Sequence, residues 1–176
     1  MKKNIYMKGF TLIELLIVIA LLGALAIGLI GAIDPFEQLK KGTDTGTRNV
    51  VSEVQAAIIR YYALKNGMPW CPSGGCTVAG STYVVTQSLS AAAATGYLSK
   101  IVETGELKSN FTTLQAGELS KVFVTGTDSQ AIVCYQPASK SFRSDLNTKF
   151  DRNGDEHTGS PACSTADAAA CYWCVR

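Results

Sequence analysis

The sequence predicts an α+β fold, in which a long protruding N-terminal helix, with a transmembrane half and an amphipathic half, packs on a small antiparallel sheet. Three observations point there. From Leu15 to Ile33, nineteen consecutive residues carry neither a charge nor a polar side chain. Val50, Val54, Ala57, Ile58 and Tyr61 recur at helical spacing, with Arg48, Glu53 and Arg60 off that stripe. Beyond Pro69 the chain turns to short segments of strand composition divided by turn residues.

The apolar run is long enough to span a bilayer, which takes roughly 20 residues. It is too long for the apolar core of a secretory signal peptide, roughly 7 to 15 residues. Lys2, Lys3 and Lys8 precede it, and basic flanks stay on the cytoplasmic side, so the N-terminus is expected inside and the chain after Ile33 outside. Pro35 lacks a backbone donor and is expected to kink or interrupt the helix as it leaves the membrane.

"PFEQLKK" reads as helix again. "GTDTGT" at residues 42–47 is all weak helix formers. A break is expected there, either a soft joint or a plain loop, followed by an amphipathic helix around residues 48–66. Asn66 and Gly67 mark that helix's end, with Pro69 just beyond. Tyr61 and Tyr62 are expected to pack at the core and its rim.

Downstream, "STYVVTQ" has strand composition, "SLSAAAATGYLSKIV" reads as a short helix closed near Gly96, and "KVFVTG" and "QAIVCYQ" read as strands. "PASK" suggests a turn into "SFRSDL", and "CYWCV" a last strand tied down by disulfides.

All six cysteines, Cys71, Cys76, Cys134, Cys163, Cys171 and Cys174, follow the apolar run, on the side expected to be oxidising. Disulfides are therefore favoured. Local spacing makes Cys71 to Cys76 a reasonable small loop and leaves the other four open among the possible pairings. A competing reading takes "CYWC" and "CPSGGC" as halves of a zinc site; the loose spacing of the second and the compartment speak against it.

In "DRNGDE", Asp151, Asn153 and Asp155 stand at alternate positions, as at the opening of a calcium loop. A full EF-hand is excluded, because the glycine is Gly154 and Ala162 stands where the closing glutamate would be. The readings left are an irregular calcium site and a solvated Asx turn. No phosphate loop, nucleophile elbow or catalytic constellation appears, and the only histidine, His157, lies in this polar loop. "NFT" at Asn110 fits the glycosylation sequon, a tripeptide that also arises by chance.

One residue resists the anchor reading. Glu14 places a carboxylate near the start of the apolar run, where a charge costs about 3 kcal/mol on the lenient insertion scale and calls for a partner. The stretch around it, "KGFTLIELLIVIALLG", closely resembles the processing and methylation signature of type IV pilins and of the pseudopilins of type II secretion. The resemblance is sharp over residues 8–33 and looser to about residue 66.

It implies a cleaved basic leader at residues 1–9, cut between Gly9 and Phe10, N-methylation of Phe10, and Glu14 as the glutamate used in filament assembly. Residues 10–34 would then be the transmembrane and filament-core helix, and 35–176 an extracytoplasmic domain of ladle-like pilin shape. Cleavage frees an α-amino group on Phe10, cationic near neutral pH. Glu14 lies about one helical turn away, roughly 6 Å. It is placed to neutralise its own terminus or a neighbour's, and an ion pair in apolar surroundings would fix the register between neighbouring helices. Gly23, Gly28 and Gly31 would allow close helix packing.

Removing Lys2, Lys3 and Lys8 with the leader changes 16 basic against 14 acidic side chains to 13 against 14, so a net charge of +2 becomes −1. No basic run remains, and nucleic acid is not indicated as a partner. The implied partners are other pilin subunits, prepilin peptidase, an inner-membrane assembly platform and, before assembly, the bilayer. The implied location is the inner membrane and then a periplasmic or cell-surface filament.

The first functional expectation is thus a structural subunit, not an enzyme, polymerised into a type IV pilus-like filament. The disulfide-rich C-terminal half resembles pilins; the calcium-like loop resembles some type II secretion pseudopilins. The competing class is a bitopic protein with an external binding domain that stays in the bilayer, and Glu14 speaks against it.

Overall fold

A computed structural model describes residues 9–32, 34–71, 85–158, 163 and 171–176. The described residues fall into two compact units, those up to Gln38 and those from Leu39 onward.

In the first unit, α1 (Leu12–Ala32) covers nearly the whole apolar run and buries none of its residues. Apart from Glu14 in its first turn it is apolar on every side, and its length and composition suffice to cross a membrane. The next helix, α2 (Pro35–Lys65), opens with Pro35. There the missing donor costs nothing, and the Oδ1 of Asp34 accepts from the amides of Phe36 and Glu37 at 3.2 and 3.3 Å. The interruption expected at Pro35 is therefore a helix start.

The break expected at residues 42–47 does not occur, because α2 is continuous through "GTDTGT". Thr43, Thr45 and Thr47 donate their hydroxyls to the carbonyls of Leu39, Lys41 and Thr43 at 3.1, 2.8 and 3.0 Å, staying within the helix. Tertiary contacts supply the rest. The buried carboxylate of Asp44 accepts from the amides of Ala138 and Ser139 and from the Ser139 hydroxyl at 2.7–2.9 Å. Thr47, also buried, shares its one hydroxyl proton between the Thr43 carbonyl and the nearer Glu118 carboxylate, 2.6 Å away. Packing overrides poor propensity here.

The second unit contains a five-stranded, wholly antiparallel sheet of order β1-β2-β3-β5-β4, formed by β1 (Val85–Ser88), β2 (Val122–Gly126), β3 (Ala131–Tyr135), β4 (Thr148–Phe150) and β5 (Tyr172–Val175). The last strand enters between β3 and β4. The "STYVVTQ" expectation falls partly outside the described residues; within them β1 begins at Val85.

The poly-alanine segment forms two helices rather than one. Helices α3 (Leu89–Thr95) and α4 (Tyr97–Glu103) meet at Gly96, whose φ of 84° is a left-handed value that glycine adopts without strain. One-turn helices α5 (Phe111–Leu114) and α6 (Lys140–Arg143) complete the domain. Asn66, one of the two residues expected to mark the end of α2, closes it in the left-handed region at φ 51°.

The core joins the expected α2 stripe, Val50, Val54, Ala57 and Ile58 with Val51, to Leu89, Leu98 and Ile101 and to Val122, Val124, Val133 and Tyr135 of the sheet. Tyr61 packs at its margin and Tyr62 is exposed at the rim. Every residue of β3 is buried, because its second face is covered as well. Cys134 on that face is bonded to Cys174, and Gly154 lies on Ile132 so closely that a Cβ there would stand 2.6 Å from its Cγ2.

Candidate processing and assembly site

Around Gly9 and Phe10 the backbone is not helical, and both residues are exposed, Phe10 by 78%. The helix begins two residues past the expected scission, at Leu12. Its start is a capping box: Glu14 accepts from the backbone amide of Thr11 at 3.0 Å and from its hydroxyl at 2.8 Å, while the Glu14 amide donates to Thr11 Oγ1 at 3.3 Å. In the uncut chain, then, the carboxylate of Glu14 already has partners. Thr11 was missed as a site residue, although the Thr-x-x-Glu spacing of "TLIE" is the signal that identifies it.

The geometry separates two states of one carboxylate. Before cleavage it satisfies donors at the first turn of α1, and the peptide nitrogen of Phe10 carries no charge. After cleavage a cationic amine would appear one residue before Thr11 and compete for the same oxygens, with the stronger, charge-assisted hydrogen bond.

The cysteine expectations separate into pairs. Cys134 joins Cys174 directly across β3 and β5, where the two residues are register partners, and Cys163 joins Cys171. Cys71 is also disulfide-bonded; its expected partner Cys76 lies outside the described residues. No described cysteine is free: Cys71, Cys171 and Cys174 are all disulfide-bonded, which leaves no described thiolate in "CYWC" or "CPSGGC" for the zinc reading.

Asp151, Asn153 and Asp155 share one tight turn. The Oδ1 of Asp151 accepts from the amides of Asn153 and Asp155 at 2.8 and 2.9 Å, and the Asp151 amide donates to the Asp155 carbonyl at 2.8 Å. Glu156 next to it pairs with Lys149 at 2.8 Å. The Asp151 side chain thus forms an Asx turn, and Arg176 clips it by donating to the Gly154 carbonyl. The one group of three His, Cys, Asp or Glu side chains with ligand atoms within 4.8 Å among the described residues is His157, Cys163 and Cys171, the last two joined in a disulfide.

Arg48, expected off the core stripe, is instead enclosed. It pairs with Asp145 at 2.7 Å, donates to the Tyr135 hydroxyl at 3.2 Å, and lies over the rings of Phe142 and Trp173 at 4.1 and 4.7 Å. The Asn147 amide and then Arg48 hold the Asp145 carboxyl below its ordinary value, while burial pushes the Tyr135 hydroxyl up to about 12. Single sequence positions carry no signal for such a node, since its partners lie 87 and 97 residues away.

No curated protein and no solved structure matches the chain. Residues 6–30 match the family model described as the prokaryotic N-terminal methylation motif, and the chain thus carries the signature of type IV pilins and pseudopilins.

Proposed function

We propose that this chain is a pilin-like structural subunit, held in the inner membrane by α1 with its N-terminus inside, cut by prepilin peptidase between Gly9 and Phe10, methylated on Phe10, and polymerised through α1 into a type IV pilus-like filament. The observation that carries the proposal is the conjunction of the methylation motif with an exposed, non-helical Gly9–Phe10 bond placed directly before an apolar helix that buries nothing of its own. A peptidase needs an accessible, extended bond. A polymer core needs apolar helix surface that can exchange lipid for neighbouring helices. The disulfides near the C-terminus support the pilus reading over the pseudopilin one.

Co-expression with a prepilin peptidase, followed by intact-mass measurement, tests the proposal. The expected product begins at methylated Phe10. A product that still begins at Met1 overturns the filament reading and leaves the bitopic anchor with an external binding domain.

A further inference from the structure

We propose that the sheet face turned away from α2 binds an acidic polysaccharide, seating one carboxylate-bearing sugar ring in a cavity of about 380 Å³ lined by Lys121, Phe123, Gln136, Pro137, Arg143 and Tyr172. Strand alternation puts the cavity on that face. Val122 and Val124 enter the core beside the α2 stripe, so Phe123 between them points the other way, in one row with Cys134 and Cys174. Tyr172, two residues before Cys174, joins them. The volume falls at the small end of the range for ligand sites, about 300–1,000 Å³.

The walls are held from behind. The Ala138 amide donates to the buried Asp44 carboxylate at 2.9 Å, and Arg143 donates through Nε to the Pro137 carbonyl at 3.0 Å. Lys121 pairs at 2.9 Å with Glu118, whose other oxygen is met by the Thr47 hydroxyl of α2 at 2.6 Å. A ligand would therefore meet cations already placed.

Charge and ring geometry select the ligand class. The charged side chains of the lining, Lys121 and Arg143, are both cationic, and against the carboxylate of Glu118 they leave a single net positive charge, which matches a carboxylate better than a phosphate dianion. Phe123 and Tyr172 meet edge-to-face with centroids 5.9 Å apart, and Arg152 lies over the Phe123 ring at 5.3 Å. Nucleic-acid bases need open ring faces to stack on, and this pair offers no parallel platform. The C–H groups of a sugar ring pack on a single aromatic face, and the exposed Gln136 amide and Ser120 hydroxyl match its hydroxyl groups. A peptide fits less well, because β2 and β3 lie inside the sheet with neighbours on both sides and leave no edge to extend.

The test is equilibrium dialysis of the full chain in detergent, at physiological salt, against trigalacturonate, its methyl ester and neutral galactotriose. Binding of trigalacturonate alone, at one site per chain, is the expected result. Arg143→Gln should weaken it about tenfold, the worth of one charge-assisted hydrogen bond. Lys121→Gln, at an exposed position, should weaken it as well with the melting temperature unchanged, so that a folding defect in the first variant does not decide the outcome. Equal affinity for the acid and its ester overturns the proposal, as does parent affinity in Lys121→Gln. Displacement of the sugar by an equal concentration of inorganic phosphate or of a single-stranded oligonucleotide overturns it too, and gives the cavity to those anions. The chain is unassembled throughout, so the result does not depend on whether it polymerises.

Discussion

Arg48 sits among polar neighbours in the sequence, yet its guanidinium closes the gap between α2, the end of β3, the turn at Asp145 and β5. An arginine suits this place because its planar fork can pair, donate and stack at once. Replacing it by methionine keeps the stem and removes all three interactions, at an expected cost of about 1–3 kcal/mol, tempered by partial exposure of the pair. The pH dependence identifies the cause. Asp145 has a folded pKa below its unfolded value of about 3.9, so its contribution is present above that value and is lost as the pH falls through the lower folded one. The gap between urea melts of the parent and Arg48→Met should be largest near neutral pH and narrow toward pH 2 without closing, because the Tyr135 hydrogen bond and the ring contacts do not depend on Asp145. A constant gap across that range would assign the loss to packing alone.

At the scale of elements, α2 tests how far packing outweighs propensity. Gly42 and Gly46 lie within its span, and a Cβ at either would meet no atom within 4 Å. Each therefore costs helix stability without a steric reason, and Gly42→Ala and Gly46→Ala should each raise stability by about 0.5–1 kcal/mol, read as a higher thermal midpoint. A fall would show that the helix needs its glycines for a contact outside the monomer. The same segment marks the limit of what the sequence discloses. The apolar run, the α2 stripe, β2, β3 and β5 all declare themselves through periodicity and composition. The continuity of α2 does not, because it depends on Asp44 holding the turn at Ala138 and Ser139, some 94 residues away. Strand β4, only three residues long, has no pattern to detect and exists because β5 pairs with it. The methylation motif is legible in the sequence, and Thr11 is legible too, as a capping box; the enclosure of Arg48 by Asp145, Phe142 and Trp173 needs the fold.

For the whole molecule, the two units have opposite requirements. The described residues from Leu39 onward bury a core of their own, built from α2, α3, α4 and the sheet. Residue after residue of α1 stays exposed, Leu12 by 82%, Ile27 by 75% and Ile30 by 71%, so water is the wrong solvent for it. On the proposed function, lipid or neighbouring helices would cover that surface. A chain that begins at Asp34 keeps the cap of α2 and loses the apolar run. It should stay in solution without detergent, run as a monomer in size-exclusion chromatography, and melt within a few degrees of the full chain in detergent. Aggregation or a much lower midpoint would show that the apolar helix stabilises the domain as well as anchoring it. The complementary change acts on the first unit alone: Glu14→Leu lengthens the apolar run and removes the charge, so membrane insertion should persist while filaments disappear, measured by fractionation of membranes and sheared surface material. Normal filament yield from that variant would mean that the capping box at Thr11 is the whole task of Glu14.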